Sequence, residues 1–390
     1  MHPFPQFPQP FVVSHEFSNL LRAASQAIVS CRGDHLVASF FSADEQAAWF
    51  TEPWYLIAVG KAAGAMAAGA LRLGHKTLIS GLVVSKTDAN DWVNDNKVSC
   101  YQAGHPVPNE ASFVAGNALV QFVTDLPAHA KVLFLLSGGA SALVEVLADG
   151  MDADAWQGLT REWLASGWDI ARINQERKRL SHIKGGRLLS QFPESCTILQ
   201  LVISDVQGDD VATIGSGLLA GHSEQRKMTS IILANNQKLL SELAKGLPNA
   251  KMMPQFVCCS VEDLAQEIVS ASRQSGCTIW GGEPVVVLPA QVGRGGRMQH
   301  LALWVAWLLR DNASPWQLLA MGSDGSDGAT EDAGALVNQD SIRLAQQLGW
   351  DIEHTLASFD AGCLLEDIGA LITTGDTGSN VNDMMILECY

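Results

Sequence analysis

Glycine-rich loops that carry isolated cations are the part of this 390-residue sequence whose residue types could do chemistry. Gly60 and Lys61 follow the apolar run Tyr55–Val59 and precede a stretch of small residues typical of a helix. Backbone amides at a helix N-terminus favour an anion, and the lysine would add a point charge. The loop matches neither the GxxxxGK(S/T) phosphate loop nor the GxGxxG dinucleotide fingerprint. We therefore predict an anion site, with an ordinary strand–helix turn and a solvated lysine as the alternative.

A second loop places glycines and hydroxyl groups after another apolar run, Val132–Leu136. Its candidate ligands are Ser137, Gly138, Gly139 and Ser141. Amides and hydroxyls that converge after a strand are suited to binding a phosphate or a carboxylate. The alternative interpretation is a helix N-cap formed by one of the serines.

The segment Arg172–Arg187 is strongly basic in a chain whose formal net charge is −16. It holds six Lys and Arg residues in 16 positions. We predict one helix over Asn174–Leu189, on which Arg177, Lys184 and Arg187 share a broad face. Cations concentrated in an acidic chain indicate recognition of a small anion, whereas a solvated helix face is the alternative.

Carboxylates and an arginine occupy further loops that contain glycine. Asp205 and Asp209 follow the apolar run Ile198–Ile203, where they would suit a Mg²⁺–phosphate complex. A polar turn is the alternative. Arg297 follows two glycines and could clamp a carboxylate or phosphate with two parallel hydrogen bonds. Glu283 is either the ion-pair partner that orients an arginine or a catalytic group.

Two loops rich in Asp, Gly and Asn lie near the C-terminus, at 322–328 and 374–383. The first resembles half of a calcium loop but lacks the glutamate that closes an EF-hand loop. Both loops are better interpreted as phosphate or nucleotide loops. Their candidate residues are Asp324, Asp327, Thr377, Gly378, Asn380, Asn382 and Asp383.

Short apolar runs alternate with amphipathic stretches, which predicts an α/β fold of two domains with mainly parallel sheets. Most loops described above follow such a run, and open α/β sheets bind ligands at the carboxyl ends of their strands. We also predict a strand at Val285–Leu288. The predicted domains are a Rossmann-like N-terminal domain, residues 1–225 with a Pro-rich tail over 1–12, and a C-terminal domain, residues 226–390. The active site is expected in the cleft between them.

The charge balance limits the classes of partner. Lys and Arg number 25 against 41 Asp and Glu. We expect no general binding to nucleic acid or anionic membranes, because both need excess positive charge. The longest strongly apolar run, Leu301–Leu309, is shorter than the ~20 residues of a membrane span, and the N-terminus lacks a signal-peptide pattern. A cytoplasmic protein is therefore predicted, and its oligomeric state is left open, with a homodimer as one alternative.

The motifs together resemble those of the class II glycerate 2-kinases, whose C-terminal part is called the MOFRL domain. The resemblance covers the chain from about Phe17 to Tyr390. It rests on GKAAGAMA at Gly60–Ala67, GHPVPN at Gly104–Asn109, SGGASAL at Ser137–Leu143, INxxRKxLSxIKGGRL at Ile173–Leu188 and SDVxGDD at Ser204–Asp210. It continues with GGE, GGRxQ, GSDGSDG and TGxTGSNVND.

This resemblance implies that the γ-phosphoryl group of ATP is transferred to the 2-hydroxyl of D-glycerate with the help of Mg²⁺ or another divalent cation. It implies that Lys61, Asp205 and Arg297 are central to the site, which fits a reaction that needs positioning and charge neutralisation. The hypothesis assigns substrate binding to Ser137, Gly138, Gly139, Ser141, Arg177, Lys184 and Glu283. It assigns nucleotide binding to Gly60, Asp324, Asp327, Thr377, Gly378, Asn380 and Asn382, and the metal to Asp205, Asp209 and Asp383.

The sequence leaves two alternative functions open. Members of the family were long described as hydroxypyruvate reductases, an activity that would require a bound NAD(P)H. A sugar-acid binding protein without turnover is the other alternative, because Met298 and His300 stand where the family has Asn and Glu.

Overall fold

The computed structural model describes residues 17–42, 44–165, 170–221, 227–289 and 291–390. These residues form two compact units. We call Arg32–Asn235 with Gly378–Asn380 the parallel-sheet unit. The described residues up to Cys31, with Asn236–Thr377 and Val381–Tyr390, are the mixed-sheet unit. The predicted boundary between residues 225 and 226 and the predicted tail over 1–12 lie outside the described residues.

The elements have the following bounds. The strands are β1 (Trp54–Val59), β2 (Leu78–Ser85), β3 (Val98–Gln102), β4 (Lys131–Leu136), β5 (Thr197–Ile203), β6 (Lys227–Ala234), β7 (Lys251–Met252), β8 (Gly276–Gly282), β9 (Trp316–Gly322), β10 (Gly334–Asn338), β11 (Leu371–Ile372) and β12 (Asp383–Cys389). The helices are α1 (Phe17–Ser30), α2 (Gly33–Phe40), α3 (Asp44–Ala47), α4 (Ala63–Gly74), α5 (Glu110–Thr124), α6 (Ala140–Leu143), α7 (Ala153–Ala165), α8 (Ile170–Arg179), α9 (Arg187–Gln191), α10 (Asn236–Gly246), α11 (Val261–Ala271), α12 (Arg297–Leu308), α13 (Ser341–Gln347), α14 (Ile352–Ala357) and α15 (Ala361–Asp367). Within the part of the chain that is described, none of these helices combines the length and the apolar character needed to cross a membrane.

The parallel-sheet unit contains a six-stranded sheet in the order β3-β2-β1-β4-β5-β6. Every neighbouring pair in it is parallel. Strands β1, β4 and β5 are apolar runs that are almost fully buried, as expected for strands covered on both faces. The predicted α/β class and parallel pairing are confirmed here. The strand order reverses between β1 and β4, so the loops that follow these two strands lie side by side at the carboxyl edge.

The mixed-sheet unit contains the second six-stranded sheet, in the order β11-β10-β9-β12-β8-β7. Strands β7 and β8 pair in parallel, and the other neighbours are antiparallel. No helix separates β9 from β10 along the chain, and antiparallel pairing follows because parallel neighbours need a longer crossover. Helix α12 packs on this sheet and is buried through most of its length. The predicted parallel pairing is therefore realised mainly in the first unit.

Two predicted elements are wrong. The segment Val285–Leu288 forms only an isolated bridge through Val285, and Val287 is 91% exposed. Prolines at positions 284 and 289 flank this segment and supply no N–H donor to a sheet. The helix predicted over Asn174–Leu189 is broken, because α8 ends at Arg179 and α9 begins at Arg187.

Candidate functional site

The loops after β1 and β4 are joined by hydrogen bonds at the point where the strand order reverses. The amide of Lys61 donates to the carbonyl of Gly138 at 2.9 Å, and the amide of Ala62 donates to the hydroxyl of Ser137 at 3.0 Å. Gly60 has a φ of +133°, and a Cβ at this position would lie 2.2 Å from the Ser137 hydroxyl oxygen. A glycine is therefore required for the two loops to approach this closely.

A carboxylate and an amide complete this cluster. The side-chain amide of Asn380 donates to Oδ2 of Asp205 at 3.1 Å. A Cβ on Gly138 would lie 1.6 Å from that carboxylate oxygen, so the backbone of the second loop packs directly against Asp205. The structure therefore brings together Lys61, Gly138, Asp205 and Asn380, which lie far apart in the sequence.

The side chain of Lys61 runs over Gly139. A Cβ on Gly139 would lie 3.0 Å from Cγ of Lys61 and 3.1 Å from Cδ2 of His105. His105 was not among the predicted site residues, although its motif GHPVPN carried part of the resemblance. Ser137 and Gly138 are buried, whereas Lys61 and Asp205 are half-buried. A cation and a carboxylate at the edge of this cluster can neutralise a bound anion and accept a proton or a metal ion.

Hydrogen bonds and a buried ion pair support the loop after β4. The hydroxyls of Ser141 and Ser216 are 2.5 Å apart, and the carbonyl of Ser216 accepts a hydrogen bond from the amide of Gly185 at 3.0 Å. Next to Gly185, the ammonium of Lys184 is ion-paired with the carboxylate of Glu145, two residues after α6. Glu145 is a residue that the sequence reasoning missed.

The basic segment does not present a shared cationic face. Lys184 is fully buried, and burial lowers its pKa against the opposing effect of Glu145. Burial also lowers the pKa of Arg177, whose Nε has no hydrogen-bond partner among the described residues. The ammonium of Lys184 thus engages Glu145 inside the protein, a geometry that favours loop ordering over direct contact with a substrate.

In the mixed-sheet unit, Arg297 at the start of α12 is held by two carboxylates. Its Nη1 lies 2.7 Å from Oε1 of Glu283, and its Nε donates to Oδ2 of Asp383 at 2.7 Å. Burial lowers the pKa of Arg297, but the charges of Asp383 and Glu283 outweigh this and raise it above its usual value. The amide of Asn382 also donates to Glu283, at 3.3 Å. Glu283 thus forms an ion pair with Arg297.

The other predicted residues of this unit have local partners. The carboxylate of Asp327 accepts hydrogen bonds from the amides of Met298 and Gln299, at 3.1 and 2.8 Å, and so caps α12. Burial raises the pKa of Asp327 to about 7 and that of Asp383 to about 6. The Asp324 carboxylate accepts from the Ser326 amide at 3.0 Å, and the Thr377 hydroxyl donates to the Ser323 carbonyl at 2.6 Å. Three side chains predicted to bind the nucleotide, those of Asp324, Asp327 and Thr377, thus have hydrogen-bond partners within their own unit.

The three carboxylates predicted for the metal do not form one group. Asp205 and Asp209 belong to the parallel-sheet unit and Asp383 to the mixed-sheet unit. Asp209 accepts a hydrogen bond from the amide of Asn235 at 2.6 Å, and Asp383 pairs with Arg297. Among the residues that the structure describes, no three His, Cys, Asp or Glu side chains are grouped to hold a metal ion.

Comparisons with known proteins identify the family. Residues 19–247 match the family described as Domain of unknown function (DUF4147), and residues 276–383 match the MOFRL family. A D-glycerate 2-kinase from Thermotoga maritima is 34% identical over 85% of this chain and 89% of its own. A relative from Agrobacterium vitis, which bears a provisional hydroxypyruvate reductase name, is 30% identical over 84% of this chain and 97% of its own.

The fold agrees with these matches. The crystal structure of glycerate kinase from Thermotoga maritima superposes with a TM-score of 0.80 at 30% identity, covering 97% of this chain and all of that one. The family that the nine motifs resemble is thus found again by overall sequence and by fold. The chain belongs to the MOFRL-type glycerate 2-kinase family.

Proposed function

We propose that this chain is an ATP-dependent D-glycerate 2-kinase, which transfers the γ-phosphoryl group to the 2-hydroxyl of D-glycerate and gives 2-phosphoglycerate and ADP. The observation that carries the proposal is the convergence of Lys61, Gly138 and Asp205 in a chain of this family. They meet at the carboxyl edge of a parallel sheet, where the strand order reverses and ligands bind in open α/β sheets. Phosphoryl transfer needs positioning and charge neutralisation, which such a cluster supplies.

Each residue of the cluster has a role in this proposal. The ammonium of Lys61 balances the negative charge of the transferred phosphoryl group. The loop Ser137–Ser141 binds an anionic group through amides and hydroxyls. Asp205 either orients and deprotonates the 2-hydroxyl or holds the metal ion. In the first role the proton moves to the Asp205 carboxylate, while the glycerate oxygen bonds to phosphorus and the bond to the ADP oxygen breaks.

Mg²⁺ or another divalent cation fits this part of the site. Mg²⁺ is usually bound by one or two carboxylates together with waters and substrate phosphates, so it needs no group of three protein ligands. Asp205 and Asp209 supply hard oxygen donors in the loop after β5. They are the residues that would hold the ion, which would neutralise phosphate charge when bound.

The roles proposed for the mixed-sheet unit rest on charge. Arg297 carries a guanidinium that Glu283 and Asp383 orient, and it would bind the glycerate carboxylate or the charge of the transition state. Nucleotide binding by Asp324, Asp327, Thr377, Gly378 and Asn382, together with Gly60, stays a prediction from the family motifs. Of the two residues of the basic segment assigned to the substrate, Arg177 is the one proposed to bind a substrate carboxylate, since Lys184 is paired internally.

A hydroxypyruvate reductase is the second candidate. The strand order 3-2-1-4-5-6 is also that of dinucleotide-binding sheets, and this observation favours it. The loop after β1, however, carries Lys61 and lacks the GxGxxG pattern that lets a pyrophosphate approach the backbone. We therefore rank it below the kinase and also keep the binding protein without turnover as an outcome to be tested.

The proposed partners are the small molecules D-glycerate and ATP. The net charge of −16 argues against nucleic acid or an anionic membrane as further partners. A cytoplasmic location and a homodimer stay predictions, and light scattering would test the dimer.

A coupled assay of ADP formation tests the function. With MgCl₂ or MnCl₂, ATP turnover that depends on D-glycerate is expected, without oxidation of NADH by hydroxypyruvate. NADH oxidation would favour the reductase. Calorimetric binding of D-glycerate without ADP formation would favour the binding protein.

A further inference from the structure

We infer that Asn380 is a positioning residue that orients the Asp205 carboxylate for phosphoryl transfer, rather than a contact to the nucleotide. The inference rests on the proposed function, because it gives Asn380 a role through the reaction of Asp205. It reassigns a residue that the motifs had placed at the nucleotide.

The hydrogen bond between Asn380 and Asp205 has a fixed direction. Nδ2 of Asn380 donates to Oδ2 of Asp205 at 3.1 Å, and an ionised carboxylate can only accept. The side chain of Asn380 belongs to a residue that is 4% exposed, so its amide is enclosed by protein. A buried N–H without a partner is costly, and a hydrogen bond to an ionised group is stronger than one between neutral groups. The contact therefore fixes one oxygen of Asp205.

The carboxylate of Asp205 is also confined by the loop after β4. A Cβ on Gly138 would lie 1.6 Å from Oδ2 of Asp205 and 2.2 Å from Nδ2 of Asn380. The backbone of Gly138 thus covers this hydrogen bond. Movement of the Asp205 carboxylate is restricted both by the amide and by the loop after β4.

The segment that bears Asn380 is itself held in place by backbone contacts. The carbonyl of Gly378 accepts a hydrogen bond from the amide of Gly33, at the start of α2, at 2.8 Å. Gly378 has a φ of +69°, and a Cβ there would lie 2.7 Å from Cβ of Ala65 in α4. This contact places Asn380 against the body of the parallel-sheet unit, as a positioning residue requires.

The expected kinetic effect follows from this geometry. When Asp205 acts as the group that orients and deprotonates the 2-hydroxyl, the role on which this inference rests, loss of its orientation slows the chemical step and leaves the affinity for substrates little changed. A nucleotide contact would behave in the opposite way, since its loss raises the KM for ATP. The two roles are therefore separated by kcat and KM.

The test compares Asn380→Ala and Asn380→Asp with the unmodified chain. Aspartate has the shape of asparagine but offers no N–H donor. We expect both variants to lower kcat by at least about tenfold, with KM values for ATP and D-glycerate within about twofold. Asn90→Ala is the matched control, because the amide of Asn90 also donates to an aspartate, Asp88, at 2.8 Å, but on the exposed surface. It should leave kcat and KM unchanged.

Three results would overturn the inference: an unchanged kcat in Asn380→Ala, a raised KM for ATP at unchanged kcat, or full activity in Asn380→Asp. If Asn380→Ala does not fold, as judged by thermal unfolding, the isosteric Asn380→Asp decides. An unmodified chain without glycerate-dependent ATP turnover would instead contradict the proposed function. In that case, crystal structures decide the inference. Asp205 should reorient in Asn380→Ala, and an unmoved carboxylate contradicts the positioning role.

Discussion

The ammonium of Lys184 is ion-paired with the carboxylate of Glu145 in the interior of the parallel-sheet unit, and neither side chain is exposed. The hydroxyl of Ser181 donates to the same carboxylate at 2.6 Å. A buried ion pair is weak evidence for stability in itself, but the loss of one partner leaves an uncompensated charge. This relationship predicts that the two residues contribute to stability as a pair.

Lys184→Met is therefore expected to lower the free energy of unfolding by about 3–5 kcal/mol, because Glu145 is left buried without its cation. The double variant Glu145→Leu with Lys184→Met should recover most of that loss. Urea unfolding followed by circular dichroism measures both. Lys245→Met, which removes an exposed pair with Glu242, serves as the control and should change little. Equal stability of Lys184→Met and the unmodified chain would contradict the pairing.

Replacing Lys61 tests the cation of the site. Lys61→Ala should lower kcat/KM by much more than tenfold, where tenfold corresponds to about 1.4 kcal/mol, because the ammonium proposed to balance the charge of the transferred phosphoryl group is removed. Lys76→Ala removes an exposed lysine just after α4 and should leave kcat/KM unchanged. A loss of tenfold or less in Lys61→Ala would argue against a catalytic role.

Gly138→Ala tests the close packing of the second loop against Asp205. The added methyl group would lie 1.6 Å from a carboxylate oxygen, so either the loop or Asp205 must move and activity should be lost. Gly158→Ala is the matched control, because nothing lies within 4 Å of a Cβ at this exposed position in α7. Activity assays and thermal unfolding of both variants check this. An active Gly138→Ala enzyme would show that the two loops are not packed as described.

The buried carboxyl group of Asp327 predicts a pH dependence of stability. Burial raises its pKa from 3.8 to about 7, so the folded state binds the proton more tightly than the unfolded state. Its stabilising contribution is therefore present below pH ~4 and is lost as the pH rises towards 7. Relative to Asp327→Asn, the unmodified chain should lose on the order of 1–3 kcal/mol of unfolding free energy between pH 5 and pH 8.

Urea unfolding of both proteins at the two pH values measures this difference. Asp311→Asn, at an aspartate whose side chain is 88% exposed, should show no such difference from the unmodified chain. A gap between Asp327→Asn and the unmodified chain that stays constant with pH would contradict the raised pKa.

The sequence predicts the parallel-sheet unit well because its strands are continuous apolar runs, such as Val132–Leu136. It predicts the mixed-sheet unit less well. Strand β12 enters the centre of that sheet from the end of the chain, and its pairing with β8 and β9 is set by contacts distant in sequence. The run Val285–Leu288 has the composition of a strand but is bounded by prolines. Because proline has no N–H to donate, these positions disfavour an extended pairing with a neighbouring strand.

The candidate site is also predicted only in part by the sequence. The strand-end glycine motifs locate Lys61, Gly138 and Asp205, since the carboxyl ends of parallel strands share one edge. The motifs do not reveal the partner of a charge. Glu145 lies outside the motifs, and its ion pair with Lys184 is seen only in the folded structure. Asn380 was recognised as a motif residue, but its contact with Asp205 joins positions 175 residues apart.

Phosphorus NMR of the product formed from ATP and D-glycerate with Mg²⁺ shows whether the 2-hydroxyl of D-glycerate is the group that is phosphorylated. We expect one new phosphate monoester, identified as 2-phosphoglycerate by comparison with authentic 2- and 3-phosphoglycerate, and its absence with Lys61→Ala. Exclusive formation of 3-phosphoglycerate, or no phosphoglycerate with either magnesium or manganese, would contradict the proposed function.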